Sequence, residues 1–161
     1  LKLFKPISRK LMIKIDVFIQ NKNWKKYISN PSTYIKRKTK IINSSLKFIK
    51  NKKMNFSILL AGNKQIKILN KKFRKKNKST DVLSFPFYSV KDIRKLKNRN
   101  IYLGDVILNF YKIDKTNFKN DFNRLWVHGF LHLLGHKHYK NKDYYKMNRV
   151  EKLILKKIEN N

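Results

Sequence analysis

Residues 121–138 read DFNRLWVHGFLHLLGHKH, and this stretch decides the fold and the chemistry that the sequence predicts. Its apolar residues occupy almost every face of a helix, which is typical of a helix buried in the protein interior. All four histidines of the chain lie here, at positions 128, 132, 136 and 138. His128 and His132 share one helix face because they are four residues apart. We predict a buried helix that has Asp121 as its N-cap and carries both histidines.

Three of these histidines can converge on one metal ion. Gly135 lets the chain leave the helix and turn back, so that His138 follows directly. Imidazole is a common zinc ligand, and three protein ligands leave one coordination position open for water or substrate. His136 could be an alternative ligand, a proton shuttle or an exposed residue, and we favour the last. The segment therefore predicts a metal site at the C-terminal end of the buried helix.

The zinc protease pattern matches this segment only in part. That pattern is His-Glu-x-x-His-x-x-Gly-x-x-His, and its Glu is the general base that activates the metal-bound water. His132, Gly135 and His138 hold the matching places, but Gly129 stands where the protease has Glu. The ligand geometry can therefore be shared, whereas peptide hydrolysis by that route lacks its base.

The composition is strongly basic. Lys and Arg number 41 against 9 Asp and Glu in 161 residues, which gives a net charge of +32. A polyanion such as RNA or DNA would relieve that charge through phosphate neutralisation. Codon bias in a gene rich in A and T also explains much of the excess charge. A basic protein remains either way, and we expect an acidic partner.

Several features bear on where the protein works. The chain has no cysteine, which fits a reducing cytoplasm. No apolar run is long enough to span a bilayer, and residues 1–6 lack the apolar core of a secretory signal. The chain begins with Leu rather than Met, so we expect the true start to be missing or unusual. We predict a cytoplasmic protein without a membrane partner.

The rest of the sequence predicts strands and helices that interleave. The predicted strands are residues 12–19, 54–61, 80–87 and 101–110, with a bulge or a close backbone approach at Gly104. The predicted helices are residues 31 to about 49, 63–73 and 144–158, with a further start within 113–120. Residues 71–78 and 90–100 are predicted as basic loops, the second of them mobile. Length and pattern together predict one layered helix-and-sheet domain over residues 1–161.

Three motifs make the chain resemble the YbeY family of bacterial rRNA-maturation endoribonucleases. The histidine segment is similar to the family's His-Gly-x-Leu-His-Leu-x-Gly-Tyr-Asp-His. Residues 69–74 and 79–85, LNKKFR and STDVLSF, are similar to Leu-Asn-x-x-(Tyr/Phe)-Arg and Pro-Thr-(Asp/Asn)-Val-Leu-Ser-Phe, and residues 103–106, LGDV, to Leu-Gly-Asp-Ile. The chain departs from these patterns at Ser79, Asn109, His136 and Lys137. The last replaces an Asp beside the third histidine, which puts the fine tuning of the site in doubt.

The resemblance implies a fold, a metal and a reaction. The fold is α+β, with a mixed sheet of about four strands, about five helices and the metal-bearing helix packed beside the sheet. By this resemblance we expect one zinc ion to be held by His128, His132 and His138, and Arg74 to face the catalytic cleft. The implied activity is that of a single-strand-specific endoribonuclease, which we expect to act in 16S rRNA 3'-end maturation and ribosome quality control, near the small ribosomal subunit. No DNA partner is expected.

A mechanistic hypothesis follows for metal-assisted phosphodiester hydrolysis. Arg74 would hold a nonbridging phosphate oxygen, since its planar, always charged group suits phosphate. Asp81 or Asp105 would orient a ligand histidine, although Asp105 could equally serve the bulge in its strand. The general base stays unassigned. The alternative is a basic, non-catalytic ribosome-assembly factor with structural zinc, although structural zinc sites usually have four protein ligands.

Overall fold

A mixed four-stranded sheet forms the centre of the structure, a computed structural model that describes residues 12–43, 53–96, 100–137 and 141–160. The strands are β1 (Met12–Ile19), β2 (Lys53–Ala61), β3 (Val82–Pro86) and β4 (Asn100–Asn109). They lie in the order β1-β2-β4-β3, with β1, β2 and β4 parallel and β3 antiparallel to β4. Pro86 ends the edge strand β3, where proline is tolerated. The predicted α+β class and mixed sheet are confirmed.

Five α-helices surround this sheet within the described residues. They are α1 (Pro31–Asn43), α2 (Asn63–Arg74), α3 (Val90–Lys95), α4 (Phe118–Leu133) and α5 (Asn141–Glu159). α1 packs on β1, α4 packs on β3 and β4, and α5 contacts both α1 and α4. None of the described helices is long and apolar enough to cross a membrane. The predicted number of helices is confirmed.

The two faces of the sheet carry separate apolar clusters. Val106 and Leu108 of β4 belong to the main core with α4, whereas Ile107 between them belongs to a smaller cluster with Ile66 of α2. Successive strand residues point to opposite faces, so α2 and α4 lie on opposite sides of the sheet. Phe56 of β2 stacks on Phe130 of α4, with ring centroids 4.9 Å apart. The helix that carries the histidines is thus fixed directly on the sheet.

Gly104 combines the two features that the sequence predicts there. The register of β2 against β4 shifts between Asn55 and Ser57, which marks a bulge in β4. Gly104 has a φ of +128°, and a Cβ at this position would lie 2.1 Å from the carbonyl oxygen of Phe85. Only glycine fits a positive φ with a neighbouring strand at that distance. The predicted bulge and the predicted close approach are both confirmed.

The N-terminus of α4 differs from the prediction. The helix begins at Phe118 with Asn117 as its N-cap, so Asp121 lies inside the first turn and is not the cap. There its carboxylate accepts hydrogen bonds from the backbone N–H of Asp114 and from Arg124, at 2.9 and 2.8 Å. Of the helix predicted to start within 113–120, residues 118–120 belong to α4, while Ile113 is extended. Burial of Phe118 explains the earlier start, because this turn packs into the core.

Both predicted basic loops are partly helical. Residues 71–74 form the last turn of α2, which ends at Lys75 in the left-handed conformation with φ 59°. Residues 90–95 form α3, whose N-cap Ser89 accepts a hydrogen bond from the backbone N–H of Asp92. α1 begins at Pro31 as predicted and is described as far as Asn43, and the rest of its predicted length, residues 44–49, lies outside the described residues.

Candidate metal centre

His128 and His132 face each other on successive turns of α4. Their Nε2 atoms are 3.1 Å apart, and the two rings meet at an interplanar angle of 81°. Both side chains are half-buried, so each keeps some contact with solvent. The sequence prediction that these two side chains share a helix face is confirmed. The third predicted ligand, His138, lies outside the described residues.

Hydrogen bonds to the other ring nitrogens determine which tautomer each histidine adopts. Nδ1 of His128 lies 2.9 Å from Oε2 of Glu151, and Nδ1 of His132 lies 2.8 Å from the carbonyl oxygen of His136. A carbonyl or an ionised carboxylate only accepts, so Nδ1 carries the proton in both rings. In the neutral rings, each Nε2 then keeps its lone pair. Two lone pairs consequently point toward each other across 3.1 Å.

A divalent cation fits this arrangement. Two zinc–nitrogen bonds of about 2.0–2.1 Å at a tetrahedral angle span about 3.3 Å, and the observed Nε2 separation is 3.1 Å. Imidazole nitrogen is also a preferred donor for zinc. No group of three possible ligand side chains occurs within the part of the chain that the structure describes. The described pair can therefore supply two ligands.

The end of α4 explains how the His136 carbonyl reaches the His132 ring. Gly135 has a φ of +90° and donates to the carbonyl of His132, while the backbone N–H of His136 donates to the carbonyl of Leu131. This pair of bonds defines a Schellman motif, which reverses the chain direction after the last helical turn. The predicted turn at Gly135 is confirmed.

His136 itself differs from the prediction of an exposed side chain. Its side chain is half-buried, and burial lowers the pKa of its imidazole below the ordinary value. The backbone oxygen of this residue takes part in the candidate centre, because it accepts the Nδ1–H of His132.

Gly129 shows why the general base of the protease pattern is missing. This residue is buried where α4 contacts the sheet, and a Cβ here would lie 2.5 Å from Cγ1 of Val106 and 3.2 Å from Oγ of Ser84. A glutamate at this position would therefore overlap the side chain of Val106 in β4 from its first side-chain carbon. Packing thus excludes the protease base, in agreement with the sequence comparison.

Arg74 lies on the other side of the edge strand. Its Nη2 donates to the carbonyl oxygen of Ser84, at 3.2 Å, and its side chain is exposed. The Ser84 side chain in turn lies against Gly129, the residue that follows His128. A single strand residue therefore separates the guanidinium from the histidine helix. Since guanidinium has five N–H donors, the contact leaves donors able to bind an anion.

Among the residues that the structure describes, neither aspartate that we expected to orient a histidine contacts one. Asp105 accepts a hydrogen bond of 2.6 Å from the hydroxyl of Tyr102, and Asp81 accepts bonds from Thr80 and from the backbone N–H of Val82. Burial and the bond to Asp105 raise the pKa of Tyr102 above its ordinary value of 10.0. Both aspartates are thus engaged locally, as the bulge alternative for Asp105 suggested.

Sequence reasoning missed the carboxylate that does contact a histidine, Glu151 of α5. A signal for it was present in the spacing of that helix. Met147 and Ile154 are buried, and Glu151 lies four residues after one and three before the other. It therefore falls on the apolar stripe of α5, where an acidic residue needs a partner.

The fold and the histidine pair define the class of protein: an α+β domain with a candidate metal centre near the end of a buried helix. The sequence profile described as Endoribonuclease YbeY matches residues 18–159. The Pelagibacter ubique protein named Endoribonuclease YbeY is 44% identical over 154 residues, which cover 92% of this chain and 97% of that protein. The Ehrlichia canis protein of the same name is 35% identical over 155 residues, with 91% and 93% covered. This chain belongs to the YbeY family.

A solved structure supports the fold independently. The solution structure of a Thermotoga maritima protein matches with a TM-score of 0.56 at 20% identity, covering 90% of this chain and 89% of that one. The similarity extends over nearly all of both chains, so the two proteins share their fold. The predicted family membership is confirmed by the sequence relatives.

Proposed function

We propose that this protein is an endoribonuclease that hydrolyses phosphodiester bonds of single-stranded RNA with one zinc ion, held by His128, His132 and His138. The observation that carries the proposal is the pair of Nε2 atoms 3.1 Å apart, each with its Nδ1 bound to an acceptor. This donor pair occurs in a chain whose relatives in Pelagibacter ubique and Ehrlichia canis are named endoribonucleases.

The residues of the chain have separate parts in the proposed reaction. Zinc, when bound, is a Lewis acid that makes hydroxide available near neutral pH. Glu151 and the carbonyl of His136 retain the Nδ1 protons, which leaves both Nε2 atoms as donors. Arg74 binds a nonbridging phosphate oxygen, because its planar group stays charged and matches phosphate geometry. The bond to Ser84 holds the guanidinium at the edge of β3 while the scissile group binds.

A basic stripe on α2 suggests a path for the RNA backbone. Lys64, Lys67 and Lys71 are exposed and lie three to four residues apart, so they line one face of the helix. Arg74 continues the same spacing at the end of α2. Cations in a row neutralise successive phosphates without reading the bases. We propose that RNA follows this stripe to Arg74 and passes the edge strand β3 there, because α2 and α4 lie on opposite sides of the sheet.

The finer biological role is also a proposal. Family membership and the net charge of +32 support an RNA substrate. We propose that this substrate is the 3' end of 16S rRNA on the small ribosomal subunit, in the cytoplasm, and that cleavage serves ribosome quality control. The alternative is a ribosome-assembly factor whose zinc is structural, and the following experiment separates the two.

The test uses purified protein of defined zinc content on single-stranded RNA, duplex RNA and a 16S rRNA precursor. His132→Ala is the control, because any nuclease that copurifies with so basic a protein also contaminates the variant. We expect the wild type to bind one zinc and cleave the single-stranded and ribosomal substrates, and the variant to lose both properties. Equal cleavage by both preparations would refute the proposed site. Zinc-loaded wild type without cleavage would favour the assembly factor.

A further inference from the structure

We infer that Glu151 is a positioning residue for the metal centre: its carboxylate holds the His128 ring in the tautomer and orientation that metal binding needs. The inference rests on the proposed function, since it assigns a role toward the metal of that site. It adds a residue from a different helix, 23 positions along the chain from His128. The docking of α5 would then contribute directly to metal affinity.

The contact has the geometry of an oriented hydrogen bond. Nδ1 of His128 and Oε2 of Glu151 are 2.9 Å apart, and the two side chains are 25% and 14% exposed. A pair shielded to this extent is screened by water less than a surface ion pair, so its bond restricts the ring more strongly. Because α4 and α5 pack together, the carboxylate approaches from a fixed neighbouring helix and not from a mobile loop.

The described partner of the Glu151 carboxylate is a histidine and not one of the many lysines and arginines of the chain, which supports a specific role for the contact. The chain has 41 Lys and Arg for 9 acidic residues, so a carboxylate has many cations available to it. Within the described residues Arg124 forms an ion pair with Asp121, whereas the basic side chain beside Glu151 is the imidazole of His128. Glu151 thus contacts the imidazole of a candidate ligand, with no lysine or arginine paired to it in that part of the chain.

The chemistry of such a contact is specific. A carboxylate that accepts the Nδ1–H of a histidine fixes the lone pair on Nε2 and makes that nitrogen a stronger donor. It also places one negative charge behind the ring, in a protein whose net charge of +32 opposes binding of any cation. For His132 the corresponding acceptor is a neutral carbonyl, so Glu151 supplies the charge that the His136 oxygen does not.

The test measures zinc affinity by competition with a chromophoric chelator, for wild type, Glu151→Ala, Glu151→Gln and Glu159→Gln. Glu159 is exposed on the same helix, so its variant controls for the loss of one negative charge. Loss of such a partner typically weakens metal binding by about 10–100-fold, and we expect Glu151→Ala to fall in that range. Glu151→Gln should lose less zinc affinity than Glu151→Ala, because the amide oxygen of glutamine still accepts the hydrogen bond from Nδ1 of His128. Glu159→Gln should bind like the wild type.

Two further readouts separate a positioning role from a structural one. Thermal unfolding of the metal-free proteins reports helix docking, and the ¹⁵N shifts of the His128 ring report its tautomer. We expect Glu151→Ala to shift the ring toward the Nε2–H tautomer. If Glu151→Ala and Glu151→Gln both bind zinc like the wild type, the inference is wrong, even if the metal-free proteins are less stable.

The outcomes also separate this inference from the proposed function. If the wild type binds zinc without cleaving RNA, the proposed function is wrong. A lower zinc affinity of Glu151→Ala would still support the positioning role in that case. Wild type that cleaves RNA, together with a Glu151→Ala of unchanged zinc affinity, would overturn the positioning role alone.

Discussion

Replacing Gly129 by alanine tests how closely α4 packs against the sheet. The added Cβ would lie 2.5 Å from Cγ1 and 3.1 Å from Cγ2 of Val106, whose side chain is completely buried. Carbon atoms in favourable contact are about 3.5–4.0 Å apart, so the closest overlap is about 1 Å. Branching at Cβ restricts the χ1 angle of valine, so the Val106 side chain rotates away with difficulty. The helix must therefore move.

The size of the effect follows from two opposing terms. Inserting a methyl into a close-packed interior typically costs about 1–3 kcal/mol. Alanine favours the helix over glycine by about 0.8–1.0 kcal/mol. We therefore expect Gly129→Ala to lower the free energy of unfolding by roughly 1 kcal/mol, which corresponds to about 2–4 °C in Tm for a chain of this length.

The assay is a double-mutant cycle with Val106→Ala, followed by urea unfolding. Val106→Ala removes both methyl groups that the new Cβ meets, so the two substitutions should compensate in part. Contacting residues typically couple by about 0.5–3 kcal/mol, and we expect a favourable coupling of about 1 kcal/mol. The reasoning is refuted if Gly129→Ala is as stable as the wild type, or if the two losses simply add.

Three further predictions concern the site and the sheet. Arg74→Ala should keep stoichiometric zinc but lose RNA cleavage, and unchanged cleavage would remove Arg74 from the mechanism. Gly135→Ala should cost roughly 1–2 kcal/mol on chemical denaturation, because a side chain at φ +90° is strained, whereas Gly135→Asn should cost less; equal losses would contradict this. The raised pKa of Tyr102 means that the folded state holds the hydroxyl proton more tightly than the unfolded state does. The protonated hydroxyl therefore contributes to the free energy of unfolding below pH 10.0, and this contribution is lost as the pH rises through the pKa of the folded state. In a spectrophotometric titration, Tyr102→Phe should remove a late-ionising tyrosine, and an unchanged curve would argue against the bond to Asp105.

Local sequence patterns were sufficient to predict most of the strands and helices of the fold. The alternation of Ile13, Ile15 and Val17 predicts β1, and the structure places that strand at Met12–Ile19. Local sequence patterns did not predict the residue at which α4 begins. Phe118 contacts Trp24 with ring centroids 5.8 Å apart, and this tertiary contact extends the helix beyond the residue with the best local capping signal. α3 is a different case, since the Ser89 cap with Asp92 three residues later was visible in the sequence.

In the candidate site, too, some residues could be predicted from local sequence and others depend on tertiary contacts. The spacing of four residues on one helix is a local property, and it correctly predicts that His128 and His132 face each other. The contact with Glu151 depends on how α5 docks against α4, so the apolar stripe of α5 indicates that the residue faces the protein interior but does not identify its partner. Local patterns predict the donors, whereas the groups that orient them require the tertiary structure.

The positions of the two donor atoms therefore depend on more than the histidine motif. On the sheet side, the missing side chain of Gly129 lets α4 approach β4 closely. On the opposite helix, Glu151 fixes the His128 ring, and after the last turn the carbonyl of His136 fixes the His132 ring. These constraints come from the sheet, from α5 and from a backbone reversal. An isolated helix with the same histidines would have neither acceptor in place, so metal affinity should be a property of the folded domain as a whole.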